Sequence, residues 1–369
     1  VLWLDQSEIN SLPNTGSYWT PIVSAANTNP TPHLGWKDAT DGSVCLAKAY
    51  LYRRNNDAAM RTSGIALLNA AMPTLTENED GASSSRSIAP SRKVCPYIIA
   101  ASMLDLGGSD LANFDAWVNT CTTTQFDDNK TILTTHLDKP NNWGTFAGAT
   151  VCARALYQND ATGLANNIRV FKAWLGDFNQ YLSTDRIAFG TSADSGPGGS
   201  GFVLWGGLCW QFDQGHPVGI NPLGATISGA NVDGVLPDDL RRWDGGDGSH
   251  CVFQQNPFPS GSQLNYTFTA LQGTVVHAGL LAKAGYPSWT WSDNAIKRAF
   301  GWIKNQSGTT ATGDDVWQYP LVDYYNGTTY WNDIGKPVVQ MGKNMSWTDW
   351  SHGLRINVAA PKIVFGIRV

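Results

Sequence analysis

An apolar spacing of 4, 3, 4, 3 and 4 residues runs through Leu264, Phe268, Leu271, Val275, Ala278 and Ala282. No other feature restricts the fold as much. Such steps put every member on one face of an α-helix and scatter them over both faces of a strand. Leu164, Ile168, Phe171 and Leu175 repeat the pattern with steps of 4, 3 and 4. Helices are expected at residues 44–55, 91–106, 110–120, 143–157, 161–176, 263–284 and 292–304, the last opening at Ser292 and Asp293. Alternating apolar patterns are scarce, and only residues 354–368 are expected to hold one or two short strands.

Long polar loops join these helices. The longest spans 185–262 and is rich in Gly, Pro and Asp. A stretch of that length inside a compact domain is expected to carry function. No repeat or linker divides the chain. The expected architecture is therefore mainly α, a single domain over 1–369. Its form is an incomplete (α/α) toroid of paired helices with long decorated loops and few short strands.

Composition narrows the function. The formal charge is −5, which argues against a basic nucleic-acid binder. No apolar run reaches the roughly 18 residues that a membrane helix needs. Charged residues make up only 15%, while 16 Trp and many Asn, Ser and Thr are present. Aromatic faces stack on sugar rings, and amides and hydroxyls match sugar hydroxyls. The start at Val1 and this composition lead us to expect a secreted, extracellular, monomeric protein that handles carbohydrate. The six Cys form no CxxC pair, and several are expected to be buried thiols.

Several motifs carry little. Gly196–Gly201 matches GxGxxG formally, but it contains Pro197 and lacks a preceding strand. No GxSxG elbow or Walker loop occurs, and no two His fall in HxH or HExxH spacing. Neither a metal nor a cofactor is expected. Asp238/Asp239 and Asp314/Asp315 offer carboxylates for a hydrolase. Adjacent acids, however, do not face each other on a helix, and a helix start or a solvated surface is the simpler expectation. Residues 342–350 are distinctive (GKNMSWTDW), and the sequence alone offers them no role.

Three segments stand apart. The first is Lys139-Pro140-Asn141-Asn142-Trp143-Gly144, ahead of a helix of small residues. The second runs from Asn231-Val232-Asp233-Gly234 through Pro237, Asp238 and Asp239 to Arg241 and Arg242. The third is Leu264-Asn265-Tyr266, opening the long helix. In this order they resemble the alginate-lyase superfamily of polysaccharide lyases with an (α/α) toroid, above all secreted glucuronan- and alginate-type lyases. Those enzymes carry an Asn-Asn pair opening one inner helix, then a DG-x-x-P-x-E-x-x-R stretch, then a Tyr on the next inner helix. Asn142 matches the second Asn. Asp233, Gly234, Pro237, Asp239 and Arg242 match the middle motif, with Asp239 in place of Glu. Tyr266 matches the catalytic Tyr. Two departures are visible. Trp143 stands where some relatives have His, and about twenty extra residues, 243–262, separate Arg242 from Tyr266.

The resemblance implies β-elimination on a uronate-containing, acidic polysaccharide. Asn142 would hydrogen-bond the carboxylate and stabilise the developing enolate. Tyr266 would act as base and then acid. A phenol ordinarily titrates near 10, and Arg242 beside it would favour the phenolate. One Tyr serves both steps when proton and leaving group share a face of the ring, as in glucuronate and mannuronate. His216 is the first choice for a catalytic His, followed by His136, while His277 is expected to pack. Asn141 is expected to cap the helix and to sit at the substrate with Trp143, Arg92, Arg241, Trp205 and Gln211. The rival functions are a glycoside hydrolase on a helical toroid and a non-catalytic glycan-binding protein.

Overall fold

The computed structural model describes residues 1–180, 210–213, 218–240 and 264–356. Of the expected site residues, Trp205, His216, Arg241 and Arg242 lie outside the described residues, as does the expected strand region beyond 356. The protein is mainly α-helical. The helices are α1 (Gln6–Ser11), α2 (Thr20–Ala26), α3 (Asp41–Asn55), α4 (Ala58–Ala71), α5 (Ile88–Ala101), α6 (Gly108–Thr120), α7 (Ile132–Asp138), α8 (Asn142–Tyr157), α9 (Ala161–Trp174), α10 (Pro237–Leu240), α11 (Asn265–Lys283), α12 (Trp291–Ser307), α13 (Gln318–Asn326), α14 (Tyr330–Asp333) and α15 (Thr348–Ser351). Among the described residues the only sheet is a hairpin of β1 (Thr226–Ile227) and β2 (Ala230–Asn231). Its two-residue turn needs positive φ, which Ser228 (51°) and Gly229 (81°) supply. No helix among the described residues is long and apolar enough to cross a membrane.

Helices α3, α5, α8 and α11 contact one another in turn, and α11 contacts α13. The most extensive contact is between α8 and α11. Small residues permit it. A Cβ on Gly273 would fall 2.4 Å from the carbonyl carbon of Thr145, and one on Gly148 would fall 3.1 Å from His277 Nδ1. Gly273 thus meets Thr145 and His277 meets Gly148, so the two helices run in the same direction. The N-terminal ends of α5 and α8 also coincide. Arg86 lies by Trp143, Arg92 by Phe146, and Thr150 Oγ1 donates to the Ser91 carbonyl at 2.7 Å.

Nearly all of α5 is buried, although it contains Pro96. Proline removes one intrahelical hydrogen bond. The ring is packed instead, because Gly42 of α3 has no Cβ and comes up against Pro96 Cγ. Asp41 ties the same pair of helices, accepting from Tyr97 at 2.8 Å and pairing with Lys93 at 2.9 Å.

The 342–350 segment fastens the chain's far end to its beginning. Ser43 of α3 donates to the Gly342 carbonyl at 2.7 Å and accepts from Ser346 at 2.9 Å. Trp350 packs on Trp19 and Tyr50, and its Nε1 donates to the Pro13 carbonyl at 2.8 Å. Its two Trp residues, 347 and 350, are among the largest fully buried side chains. That is why so distinctive a sequence occurs there. Cys45, Cys95, Cys121 and Cys152 are buried free thiols; Cys209 and Cys251 lie outside the described residues.

Candidate functional site

Asn141 is the N-cap of α8. Its side chain accepts from the Trp143 amide at 3.0 Å, satisfying one of the helix's orphan donors. Its Nδ2 donates to Asp238 at 2.6 Å. The neighbouring Asn142 donates its backbone N–H to Asp239 Oδ1 at 3.3 Å. Asp238 and Asp239 lie in the first turn of α10, the helix start expected of adjacent acids, but both are 1% exposed, so the alternative of a solvated surface is corrected. They are consecutive residues of one short helical turn, and each takes a different member of the Asn pair. The carboxylates of α10 hold the turn that opens α8.

The segment before α10 is anchored in turn. Asp233 pairs with Arg298 of α12 and accepts from the Gly224 amide at 3.0 Å. Gly234 has φ of 83°, and a Cβ there would strike the Arg298 backbone at 2.6 Å. The Asp-Gly step is therefore a structural fastening of this segment onto α12. Val232, Val235 and Leu236 are buried beneath it.

Asn142 is 5% exposed, and its Oδ1 is buried without a hydrogen-bond partner among the described residues. A buried polar group left unmet is uncommon and costs stability. Its side chain therefore differs from that of Asn141, which is used at both ends. Tyr266 is the second residue of α11 and is 44% exposed, so its ring is not part of the core. The parallel register of α8 and α11 relates the two. Asn142 precedes Thr145 by about 4.5 Å of helix rise, and Tyr266 precedes Gly273 by about 10.5 Å. Both emerge at the same end, with Tyr266 about one turn further out.

Arg92 lies one turn deeper and is 8% exposed. Its guanidinium carbon is 4.9 Å from the Phe146 ring centroid. Its Nη2 donates to Gln272 Oε1 at 2.8 Å and to Asp314 at 3.1 Å. These contacts commit its charge to the protein's interior. Gln272 continues the chain, donating through Nε2 to Asp315 Oδ1 at 2.9 Å. Burial pushes the Asp315 carboxyl up to about 7, with Asp314 adding to the rise, while the hydrogen bond from Gln272 and the charges of Arg92 and Lys343 oppose it. Asp315 is thus no surface acid, which corrects the same expectation for one member of the second Asp pair. Spacing alone did not reveal the Arg92–Gln272–Asp315 chain.

The remaining expected residues divide. Trp143 is half-buried at the start of α8. Gln211 is buried beside Trp210 and donates to the Asp213 carbonyl at 3.1 Å. His136 and His277 are both buried and share Asn167. Its Nδ2 lies 3.1 Å from His136 Nε2, and its Oδ1 lies 2.7 Å from His277 Nε2. Burial lowers His136 to about 4 and His277 well below its ordinary value, so both are neutral at pH 7. His277 stacks on Phe171 with ring centroids 4.0 Å apart. A separate surface hollow of about 580 Å³, lined by Gln6, Asn10, Asn14, Tyr52 and Arg53, lies toward the C-terminal end of α3, away from Asn142.

No protein-family model matches the chain, and no curated protein matches it either.

Proposed function

We propose that the protein is a secreted polysaccharide lyase that cleaves a uronate-containing polymer by β-elimination, as a monomer and without a metal or cofactor. One observation carries the reading: Asn142 and Tyr266 emerge at the same end of two helices that pack in parallel against each other. In this reading the Asn142 amide donates to the uronate carboxylate and stabilises the enolate as the α-proton leaves. The Tyr266 oxygen takes that proton. The electron pair forms the new ring double bond, the 4-O bond breaks, and the same hydroxyl protonates the departing sugar. Arg242 completes the set by favouring the phenolate. Amide stabilisation of such charge is worth roughly 10²–10³ in rate, and proton transfer roughly 10²–10⁴.

The same reading takes the whole chain as one (α/α) toroid. The successive contacts of α3, α5, α8, α11, α13 and α15 support it, as do the hydrogen bonds from the 342–350 segment back to Ser43. Helices α4, α7 and α9, which pack against members of that series, would form the outer layer.

The test is a screen of glucuronan, mannuronate-rich alginate and guluronate-rich alginate for the ultraviolet absorption of the unsaturated product. Absorption on at least one polymer, absent in the Tyr266→Phe variant, is expected. A second reading, a glycoside hydrolase, is favoured by Asp315, a carboxyl raised by burial as a general acid requires. New reducing ends without the absorption would select it.

A further inference from the structure

The hollow of about 580 Å³ beside the C-terminal end of α3 has a wall rich in amides. Gln6 and Asn10 come from α1, Asn14 from the loop after it, and Asn55 and Asn56 from the end of α3. Its charged side chains are Arg53 and Arg54, and among the described residues no acid lines it, on a chain whose formal charge is −5. The wall is braced from within. Gln6 Nε2 donates to Asn10 Oδ1 at 2.9 Å and to the Arg53 carbonyl at 2.8 Å, which ties α1 to α3. Arg54 Nε donates to the Leu12 carbonyl at 2.8 Å. Arg53 and the Tyr52 hydroxyl are committed to Asp105, and the Tyr52 ring lies under the Arg53 and Arg61 guanidiniums. These bonds leave a defined remainder. Among the described residues, the two terminal nitrogens of Arg54 meet no acceptor, and Arg54 has no carboxylate partner. Asn10 Nδ2, Asn55 Nδ2, Gln6 Oε1 and both ends of the Asn56 amide are likewise unused.

We propose that this hollow is a second saccharide-binding site, remote from the candidate catalytic end, and that it takes an acidic sugar. Arg54 receives the acid group, and the amides of Asn10, Asn55 and Asn56 receive the ring hydroxyls. An amide sets a donor beside an acceptor, and a sugar hydroxyl is both. A guanidinium fork matches a carboxylate through paired, charge-assisted hydrogen bonds. The dipole of α3 favours cations in its last turn, which accounts for two arginines there but not for the five amides around them. The site lies far from Asn142. Arg53 pairs with Asp105 beyond the C-terminal end of α5, whereas Arg86, ahead of its N-terminal end, lies by Trp143. The 14 residues of α5, about 21 Å of helix, stand between. The proposal is carried by the hollow's own lining and does not rest on the lyase reading. Under that reading the site holds polymer without cleaving it.

Isothermal titration would use the full chain carrying Asn142→Ala and Tyr266→Phe, which removes the candidate catalytic groups and keeps the probes intact. The probes are a 1→4-linked β-glucuronate tetramer, cellotetraose, which has the same linkage without carboxylates, and glutarate, which has carboxylates without hydroxyls. The glucuronate tetramer is expected to bind most tightly, and more weakly as salt is added. Adding Arg54→Gln should weaken it at least about tenfold, and Asn56→Gly about threefold, as for one hydrogen bond with and without a charge. Arg54→Gln keeps an N–H donor and loses the charge. Asn56 is exposed and has φ of 54°, a conformation that glycine adopts freely, so Asn56→Gly removes only the amide and decides if Arg54→Gln does not fold. No binding of the glucuronate tetramer, equal affinity for cellotetraose or glutarate, or unchanged affinity in the folded Asn56→Gly or Arg54→Gln protein overturns the site. Unsaturated product from the wild type together with any of these results leaves the lyase reading standing. Selective binding at the hollow without product from the wild type on any uronate polymer does the reverse.

Discussion

Gly273 of α11 lies against Thr145 of α8 so closely that a Cβ would come within 2.4 Å of the Thr145 carbonyl carbon. The contact is with backbone, which cannot swing aside as a side chain can. It sets the separation of the two helices whose first turns carry Asn142 and Tyr266. Gly273→Ala is expected to push them apart and to destabilise the protein by about 1–3 kcal/mol, the range for overpacking a filled core. Urea unfolding measures this. An unchanged midpoint would mean that the helices do not approach as described.

Tyr266→Phe tests the proton transfer. The Tyr266 ring is 44% exposed and stays in place in the variant, so the buried face of α11 should remain packed. Turnover on the best uronate polymer should fall at least about a hundredfold, the low end for general base catalysis. Substrate affinity should change little, because the loss concerns the transition state. A folded variant that kept most of its activity would remove Tyr266 from the mechanism. His216 would then be the next residue to test.

Much of the helical layout was legible because long helices bury one stripe. The 4-3-4 spacing of Leu164, Ile168, Phe171 and Leu175 located α9, and the longer series from Leu264 located α11. Helix α4 escaped notice: AAMRTSGIALLNAA is dominated by Ala and small polar residues and shows no strong stripe. The β1–β2 hairpin was invisible because two residues per strand are too few to alternate. At the site, the cap at Asn141 was legible from local chemistry. The burial of Asp238 was not, since its partner Asn141 is 97 residues away. Nor was the role of the 342–350 segment, whose partner Ser43 lies about 300 residues earlier by the same kind of long-range pairing.

Asn141 and Asn142 should separate stability from activity. Asn141→Ala removes the cap and leaves Asp238 without the amide at 2.6 Å. A loss of about 1–3 kcal/mol is expected from a missing cap and a lost buried hydrogen bond. Asn142→Ala removes a side chain whose Oδ1 has no partner among the described residues, while its backbone bond to Asp239 remains. That variant should keep most of its stability and lose turnover by roughly 10²–10³ if the amide stabilises the enolate. Chemical unfolding and initial rates on both variants check the contrast. Similar effects on stability and rate at the two positions would erase it.

Asp315 predicts a pH dependence whose sign is fixed by its burial. Its folded carboxyl titrates at about 7, above the ordinary value of 3.8. Between these limits the folded protein holds a proton that the unfolded chain has released. Stability from this group is therefore full below about pH 4 and lost as pH rises toward 7. The groups facing it are Gln272, Gln318, Asp314, Arg92, Lys343 and Tyr319. Asp349, raised by burial to about 6, acts in the same direction, whereas His136, lowered to about 4, acts in the opposite one. Total stability therefore does not isolate Asp315, but a comparison with Asp315→Asn does. The Asn carbonyl can still accept from Gln272 and Gln318, and it carries no charge to bury. The variant should gain in unfolding midpoint relative to the wild type as pH rises from 5 to 8, with most of the gain complete near 7. A constant difference across that range would show that Asp315 stays ionised in the fold, and it would leave the hydrolase reading without its general acid.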